Sequence, residues 1–213
     1  MKRVKLAIFD MDGLMLDTEE MYINLALQVA QENHYPITKD LIEKTIGLNS
    51  IASRQVLIEY LGKDFPIDDY NTILREKTMY KITHEEIKKK DGLMELLDYF
   101  DRKNSLKAVA TSTSRYKAEI LLKNSRLWNR FNYVICGDDV KNGKPAPDIY
   151  LKVCEDLKIS TKDAIVFEDS LNGLKSAYSA GIRCILVPDK VDIPEEARKL
   201  AYKIYSSLCE VIL

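Results

Sequence analysis

Short runs of β-branched and apolar residues alternate with amphipathic segments along most of the chain. The runs predict five strands, at residues 4–9, 107–110, 133–136, 164–167 and 183–187. The amphipathic segments predict helices at residues 94–102, 115–124, 148–157 and 171–180. Because strands that alternate with helices form βαβ units, the pattern predicts an α/β fold whose parallel sheet carries helices on both faces.

One interval departs from this alternation, because residues 17–85 carry apolar positions at helical spacing and no convincing strand. The helical pattern is clearest at residues 21–31, 53–61 and 70–80. We therefore predict two domains. Residues 1–16 and 86–213 form the core, and residues 17–85 form a helical domain inserted after the first strand.

Composition narrows the classes of function and partner. The 32 basic and 33 acidic residues nearly cancel, so no basic surface for nucleic acid is expected. No segment is apolar over the length that crosses a bilayer. The four cysteines form no C-x-x-C pair, which favours reduced thiols over a zinc site or disulfides. We expect a cytoplasmic monomer that binds neither nucleic acid nor membranes.

Side chains suited to catalysis follow four of the predicted strands, directly at the strand end or, for the third strand, after a short loop. They are Asp10 and Asp12 after the first, Thr111 and Ser112 after the second, Lys144 after the third, and Glu168 with Asp169 after the fourth. Taken singly, such residues are usually turn, helix-capping or loop residues. Because the carboxyl ends of parallel strands meet at one edge of a sheet, their joint arrangement favours a ligand site.

The chemistry of these residues points to phosphate. Asp10 and Asp12 repel each other, and Mg²⁺ is the cation that usually holds such carboxylates together. A carboxylate can attack phosphorus and form an aspartyl phosphate, while a second one protonates the leaving oxygen and later activates water. Lys144 would neutralise the nucleophile and a phosphate oxygen, and the hydroxyl of Thr111 would bind another phosphate oxygen.

As a set, these segments resemble the four signature motifs of the haloacid dehalogenase (HAD) superfamily, in the branch of β-phosphoglucomutases and pseudouridine-5′-phosphatases. The matching stretches are residues 9–18, 110–112, 137–145 and 166–170, in the family's order. The resemblance covers nearly the whole chain. It implies a Rossmann-like core with a mobile α-helical cap domain, for which residues 17–85 are the match.

The resemblance also implies roles for individual residues. Asp10 would be the nucleophile and a Mg²⁺ ligand. Asp12 would be the general acid and base, with its backbone carbonyl on the metal. Asp169 would be a further metal ligand with Glu168 beside it, so the candidate metal-binding residues are Asp10, Asp12, Glu168 and Asp169. The family roles of Thr111, as a phosphate partner, and of the motif lysine, as a charge partner, agree with those assigned above.

The function that follows is a Mg²⁺-dependent phosphatase that hydrolyses small phosphate monoesters, such as sugar phosphates or nucleotide-like compounds, through an aspartyl phosphate. Asp12 favours phosphoryl chemistry, because the family's dehalogenases lack this second aspartate. The alternative is a phosphomutase of the β-phosphoglucomutase type. It is disfavoured because Tyr22 and Ser50 stand where those mutases carry a cap histidine and arginine. A non-catalytic binding protein on the same scaffold is a further alternative.

Substrate specificity is expected in the inserted helical domain. Glu20, Tyr22 and Asn49 are the candidates there for binding the small phosphorylated metabolite, alongside Thr111, Ser112 and Lys144 in the core. The competing interpretation is that Tyr22 packs inside the helical domain and contacts no substrate.

Overall fold

The computed structural model describes residues 4–46, 50–189 and 193–211. The chain forms two compact units, one of Met1–Asp17 with Ile87–Leu213 and the other of Thr18–Glu86. These limits differ by one residue from those expected. The assignment of the units as catalytic core and cap stays a prediction.

The first unit contains a six-stranded, all-parallel sheet with the order β3-β2-β1-β4-β5-β6. The strands are β1 Leu6–Phe9, β2 Leu106–Ala110, β3 Tyr133–Ile135, β4 Ala164–Glu168, β5 Arg183–Leu186 and β6 Lys203–Ile204. The five predicted strands are therefore present, and β6 was not predicted. Because β1 pairs with β2 on one side and β4 on the other, the strand order reverses at β1, which is where open α/β sheets bind ligands.

The second unit consists of helices around an apolar core of its own. The helices are α1 Thr18–Glu32, α2 Lys39–Glu43, α3 Ser50–Leu61 and α4 Ile67–His84. Tyr70 is fully buried in this core, where its ring packs against those of Tyr35 and Phe65. The short helix α2 was not predicted. It begins after Thr38, whose hydroxyl accepts a hydrogen bond from the Leu41 N–H.

The remaining helices belong to the first unit and cover both faces of its sheet. They are α5 Leu93–Arg102, α6 Arg115–Asn124, α7 Asp148–Asp156, α8 Leu171–Ser179 and α9 Glu195–Leu200. On one face, buried residues of α7 and α8 share a core with alternate strand residues such as Ile8 and Val166. On the other, Phe100 of α5 packs edge-on against Phe9 and Phe167.

None of the helices within the described ranges combines the length and apolar character needed to cross a membrane. All four cysteines are free thiols; Cys136, Cys154 and Cys184 are buried and Cys209 is exposed.

Candidate active site

One lysine joins the ends of three neighbouring strands. Lys144 Nζ lies 2.5 Å from Asp10 Oδ1, 2.6 Å from Glu168 Oε1 and 3.0 Å from the carbonyl oxygen of Ala110. All three charged side chains are at least nine-tenths buried. An ammonium group has three donors, so all the hydrogen-bonding capacity of Lys144 is used at this point. The predicted convergence of Asp10, Lys144 and Glu168 on one sheet edge is therefore present in this unit.

With both carboxyl groups ionised, the buried cluster would hold more negative than positive charge, since two carboxylates face one ammonium group. Burial, reinforced by the charges of Glu168 and Asp12, raises the pKa of Asp10 to about 8 even though Lys144 opposes the rise. Burial also acts to raise the pKa of Glu168, but Lys144 and several hydrogen bonds hold it below its usual range. Asp10 is thus the carboxylate whose charge lacks full compensation.

The residues present fit a hard divalent cation. Asp10, Glu168 and Asp169 each offer a carboxylate oxygen, and these oxygens lie within 4.8 Å of one another. Mg²⁺ prefers oxygen ligands, and a cation here would compensate the charge of Asp10. Gly13 makes room for this arrangement, because a Cβ at this position would overlap Asp169 Oδ2. Its φ of 79° also lies in the left-handed region that favours glycine.

Glu168 is held by five hydrogen bonds. Its Oε1 accepts from Lys144 Nζ and from the Tyr150 hydroxyl at 2.7 Å. Its Oε2 accepts from the Asp169 N–H at 3.1 Å, and from the Ser170 N–H and hydroxyl at 3.2 and 3.0 Å. Both oxygens are therefore already engaged, and the contacts make Glu168 the anchor of Lys144. The sequence analysis had grouped Glu168 with the metal-binding residues.

Two residues that support Glu168 were missed by the sequence analysis. Tyr150 is fully buried, with its ring centroid 5.1 Å from Lys144 Nζ, and burial keeps its pKa well above the usual value, so its hydroxyl stays a donor. Gly173 leaves the space that the Glu168 carboxylate occupies, since a Cβ there would overlap it. A tyrosine on an amphipathic helix looks like a core residue, so the sequence carried no signal for this contact.

Asp12 is held by two hydroxyls of the segment that follows β2. Its Oδ2 accepts from Thr111 Oγ1 at 3.2 Å and from Thr113 Oγ1 at 2.8 Å. The Thr113 N–H in turn donates to Thr111 Oγ1 at 3.0 Å. The predicted closeness of Asp12 and Thr111 is therefore present. Ser112, between the two threonines, has an exposed side chain.

The acidic pair in the third motif has a structural role. Asp138 accepts the N–H of Arg115, the first residue of α6, at 3.0 and 3.1 Å. Asp139 pairs with the Arg115 guanidinium and accepts the Cys136 N–H at 2.8 Å. Cys136, Asp138 and Asp139 also bring possible ligand atoms together. Because Arg115 already occupies both carboxylates, this cluster shapes the loop that leads to the lysine.

The substrate residues predicted in the helical unit are placed as follows. Glu20 and Tyr22 both lie on α1, where Glu20 Oε1 accepts from Asn24 Nδ2 at 3.3 Å. Tyr22 is half-buried against the core of the helical unit, and burial raises its pKa. Packing inside this unit therefore accounts for much of the Tyr22 ring. Asn49 lies outside the described residues.

A model of the haloacid dehalogenase-like hydrolase family matches residues 7–187. The chain belongs to this family. The phosphorylated carbohydrates phosphatase of Thermotoga maritima is 35% identical over 84% of this chain and 82% of its own length. A Drosophila melanogaster protein named "Probable pseudouridine-5′-phosphatase" is 31% identical over 99% of this chain and 92% of its own.

Solved structures agree with this membership. A provisionally named beta-phosphoglucomutase from Thermotoga maritima superposes with a TM-score of 0.83 at 31% identity, covering 97% of this chain and 95% of that one. The branch inferred from the sequence motifs is therefore confirmed. As a HAD-like hydrolase the protein is an enzyme, and the cluster at the sheet edge is the candidate for its active site.

Proposed function

We propose that this HAD-like hydrolase is a Mg²⁺-dependent phosphatase of small phosphate monoesters that acts through an aspartyl phosphate on Asp10. The observation that carries the proposal is the Lys144 bridge between Asp10 and Glu168 at the point where the strand order reverses. Two relatives with phosphatase names support the same reaction class. Their names also suggest that phosphorylated carbohydrates and pseudouridine 5′-phosphate belong among the first compounds to test.

Asp10, Asp169 and the backbone carbonyl of Asp12 would hold the Mg²⁺. When bound, the ion supplies positive charge that neutralises the phosphate and the nucleophile as they approach. Glu168 belongs to the same acidic cluster, but its hydrogen bonds assign it to the orientation of Lys144. The lysine in turn orients Asp10 Oδ1 and offsets negative charge that develops on the phosphoryl group.

In the first half of the reaction, a carboxylate oxygen of Asp10 attacks phosphorus and the ester P–O bond breaks. The leaving oxygen takes a proton from the carboxyl group of Asp12, which prevents formation of a free alkoxide. The hydroxyl of Thr111 donates a hydrogen bond to a phosphate oxygen. In the second half, Asp12 removes a proton from water, water attacks phosphorus, and phosphate leaves with Asp10 restored.

The test is phosphate release from a panel of sugar phosphates, nucleotides and pseudouridine 5′-phosphate, with Mg²⁺ and with EDTA. We expect release from one or a few compounds with Mg²⁺ and none with EDTA. Asp10→Asn should abolish turnover while the circular dichroism spectrum stays that of the wild type. Metal-independent release, or turnover by Asp10→Asn near the wild-type rate, would contradict the mechanism.

A phosphomutase is the second candidate, favoured by the similarity to the Thermotoga maritima structure named as a beta-phosphoglucomutase. The two activities differ in their products. A mutase converts a hexose 1-phosphate to the 6-phosphate when a bisphosphate primer is present, with little free phosphate. A phosphatase releases phosphate from the same mixture without net isomerisation.

A further inference from the structure

Thr111 cannot donate its hydroxyl proton to Asp12 and to a bound phosphate at the same time. Thr111 has one hydroxyl proton, and a hydroxyl donates only one hydrogen bond at a time. In the structure this proton is directed to Asp12 Oδ2, while the Thr113 N–H approaches the oxygen of the same hydroxyl. When Thr111 donates to a phosphate oxygen, as the proposed function requires, it can no longer donate to Asp12.

Thr113 is then the donor that stays with Asp12. Its hydroxyl makes the shorter of the two contacts, at 2.8 Å compared with 3.2 Å for Thr111. Both contacts fall on Oδ2. An oxygen that accepts a hydroxyl proton is a poor place for an acidic proton, so the transferable proton of Asp12 is directed to Oδ1. Thr113 also fixes Thr111 through its backbone N–H, which a side-chain substitution leaves in place.

We propose that Thr113 is a positioning residue for general acid catalysis: it holds Asp12 by Oδ2 so that Oδ1 delivers the proton to the leaving oxygen. This inference rests on the proposed phosphatase function. In the step concerned, the bond from Asp10 to phosphorus forms and the ester P–O bond breaks. The proton on Asp12 Oδ1 passes to the leaving oxygen, which departs as a neutral alcohol.

The test compares two classes of ester. An alkyl phosphate has a poor leaving group that needs the proton, whereas p-nitrophenyl phosphate has a good one that leaves with little help. The ratio kcat/KM covers only the steps up to the first irreversible one, which is ester cleavage. It therefore excludes hydrolysis of the aspartyl phosphate, a later step that both esters share.

We expect Thr113→Val to lower kcat/KM for the best alkyl phosphate of the panel by about 10-fold or more, as part of the 100- to 10,000-fold typical of general acid catalysis. The value for p-nitrophenyl phosphate should stay within about twofold of the wild type. Thr113→Ser, which keeps the hydroxyl, should have a kcat/KM for the alkyl phosphate close to that of the wild type. Ser114→Ala is the matched control, because Ser114 lies one residue further on and makes no side-chain capping bond to α6.

An equal loss on both esters would overturn the inference, since it would mean that Thr113 serves the phosphate or the fold. An unchanged kcat/KM for the alkyl phosphate in an active Thr113→Val enzyme would overturn it as well. Should the valine variant misfold by circular dichroism, Thr113→Ala carries the same expectation. If the wild type cleaves neither ester, the proposed function itself is wrong and this inference falls with it.

Discussion

The buried charge of Asp10 gives a prediction that separates catalytic function from stability. Asp10→Asn removes a carboxylate that faces Glu168 across Lys144, while the side-chain oxygen of asparagine can still accept from the lysine. Without metal, we expect the variant to be more stable than the wild type at pH 8. The reason is that the wild-type site holds a carboxylate whose charge is incompletely compensated.

The pH dependence follows from the raised pKa of Asp10. Between its unfolded value of 3.8 and its folded value of about 8, the native state keeps a proton that the unfolded chain has lost. The native state thus binds more protons, so the free energy of unfolding falls as pH rises through this window. Each pKa unit is worth 1.36 kcal/mol, which sets an upper limit of about 6 kcal/mol for this loss across the whole window. Asp10→Asn lacks the group and should not show this fall.

Urea denaturation of both proteins in EDTA, at pH 5 and pH 8, measures the effect. The wild type should lose stability relative to Asp10→Asn by a few kcal/mol between the two pH values. Saturating Mg²⁺ should reduce the difference at pH 8, because bound metal compensates the carboxylate. If the free energy of unfolding changed equally with pH in both proteins in EDTA, the reasoning would be refuted, because Asp10 would then take up no proton on folding.

Three further changes test other contacts. Tyr150→Phe removes one hydrogen bond to a buried carboxylate and should cost about 1–3 kcal/mol in urea denaturation, whereas Tyr116→Phe, at an exposed position, should cost nothing measurable. Gly13→Ala places a Cβ on Asp169 Oδ2 and should abolish the Mg²⁺-induced rise in Tm. Phe100→Ala removes the ring that packs against Phe9 and Phe167 and leaves a cavity beside the sheet. It should lower the free energy of unfolding by about 3–5 kcal/mol, measured by thermal unfolding.

The core was predictable from the sequence because its elements are long enough to show a period. The predicted helix at residues 115–124 has the limits of α6, and the strands differ from prediction by one or two residues at their ends. The elements that were missed are short. α2 has five residues, α9 has six and β6 has two, too few to display a helical or strand pattern.

The contacts of the candidate site also fall into those that the sequence could predict and those that it could not. The meeting of Asp10, Lys144 and Glu168 could be predicted because parallel strands end at a common edge, whichever rotamers the side chains adopt. The contacts of Tyr150 and Thr113 depend on rotamers and on the approach of α7 and the β2 loop. No spacing in the sequence encodes those features, so these residues become visible only in three dimensions.

The hydrogen bonds on Glu168 explain why two adjacent acids stand at the carboxyl end of β4, Glu168 as its last residue and Asp169 directly after it. A lysine that serves as a charge partner must be both fully buried and fixed, and a buried ammonium group is stable only when carboxylates compensate it. Glu168 supplies that compensation and uses both of its oxygens in doing so. The next residue, Asp169, lies against Gly13 on the side of the predicted metal. The two acids therefore have different partners: Glu168 binds the lysine, and Asp169 is placed for the cation. Glu168→Asp should leave Lys144 less firmly held, because the shorter side chain cannot reach the same donors.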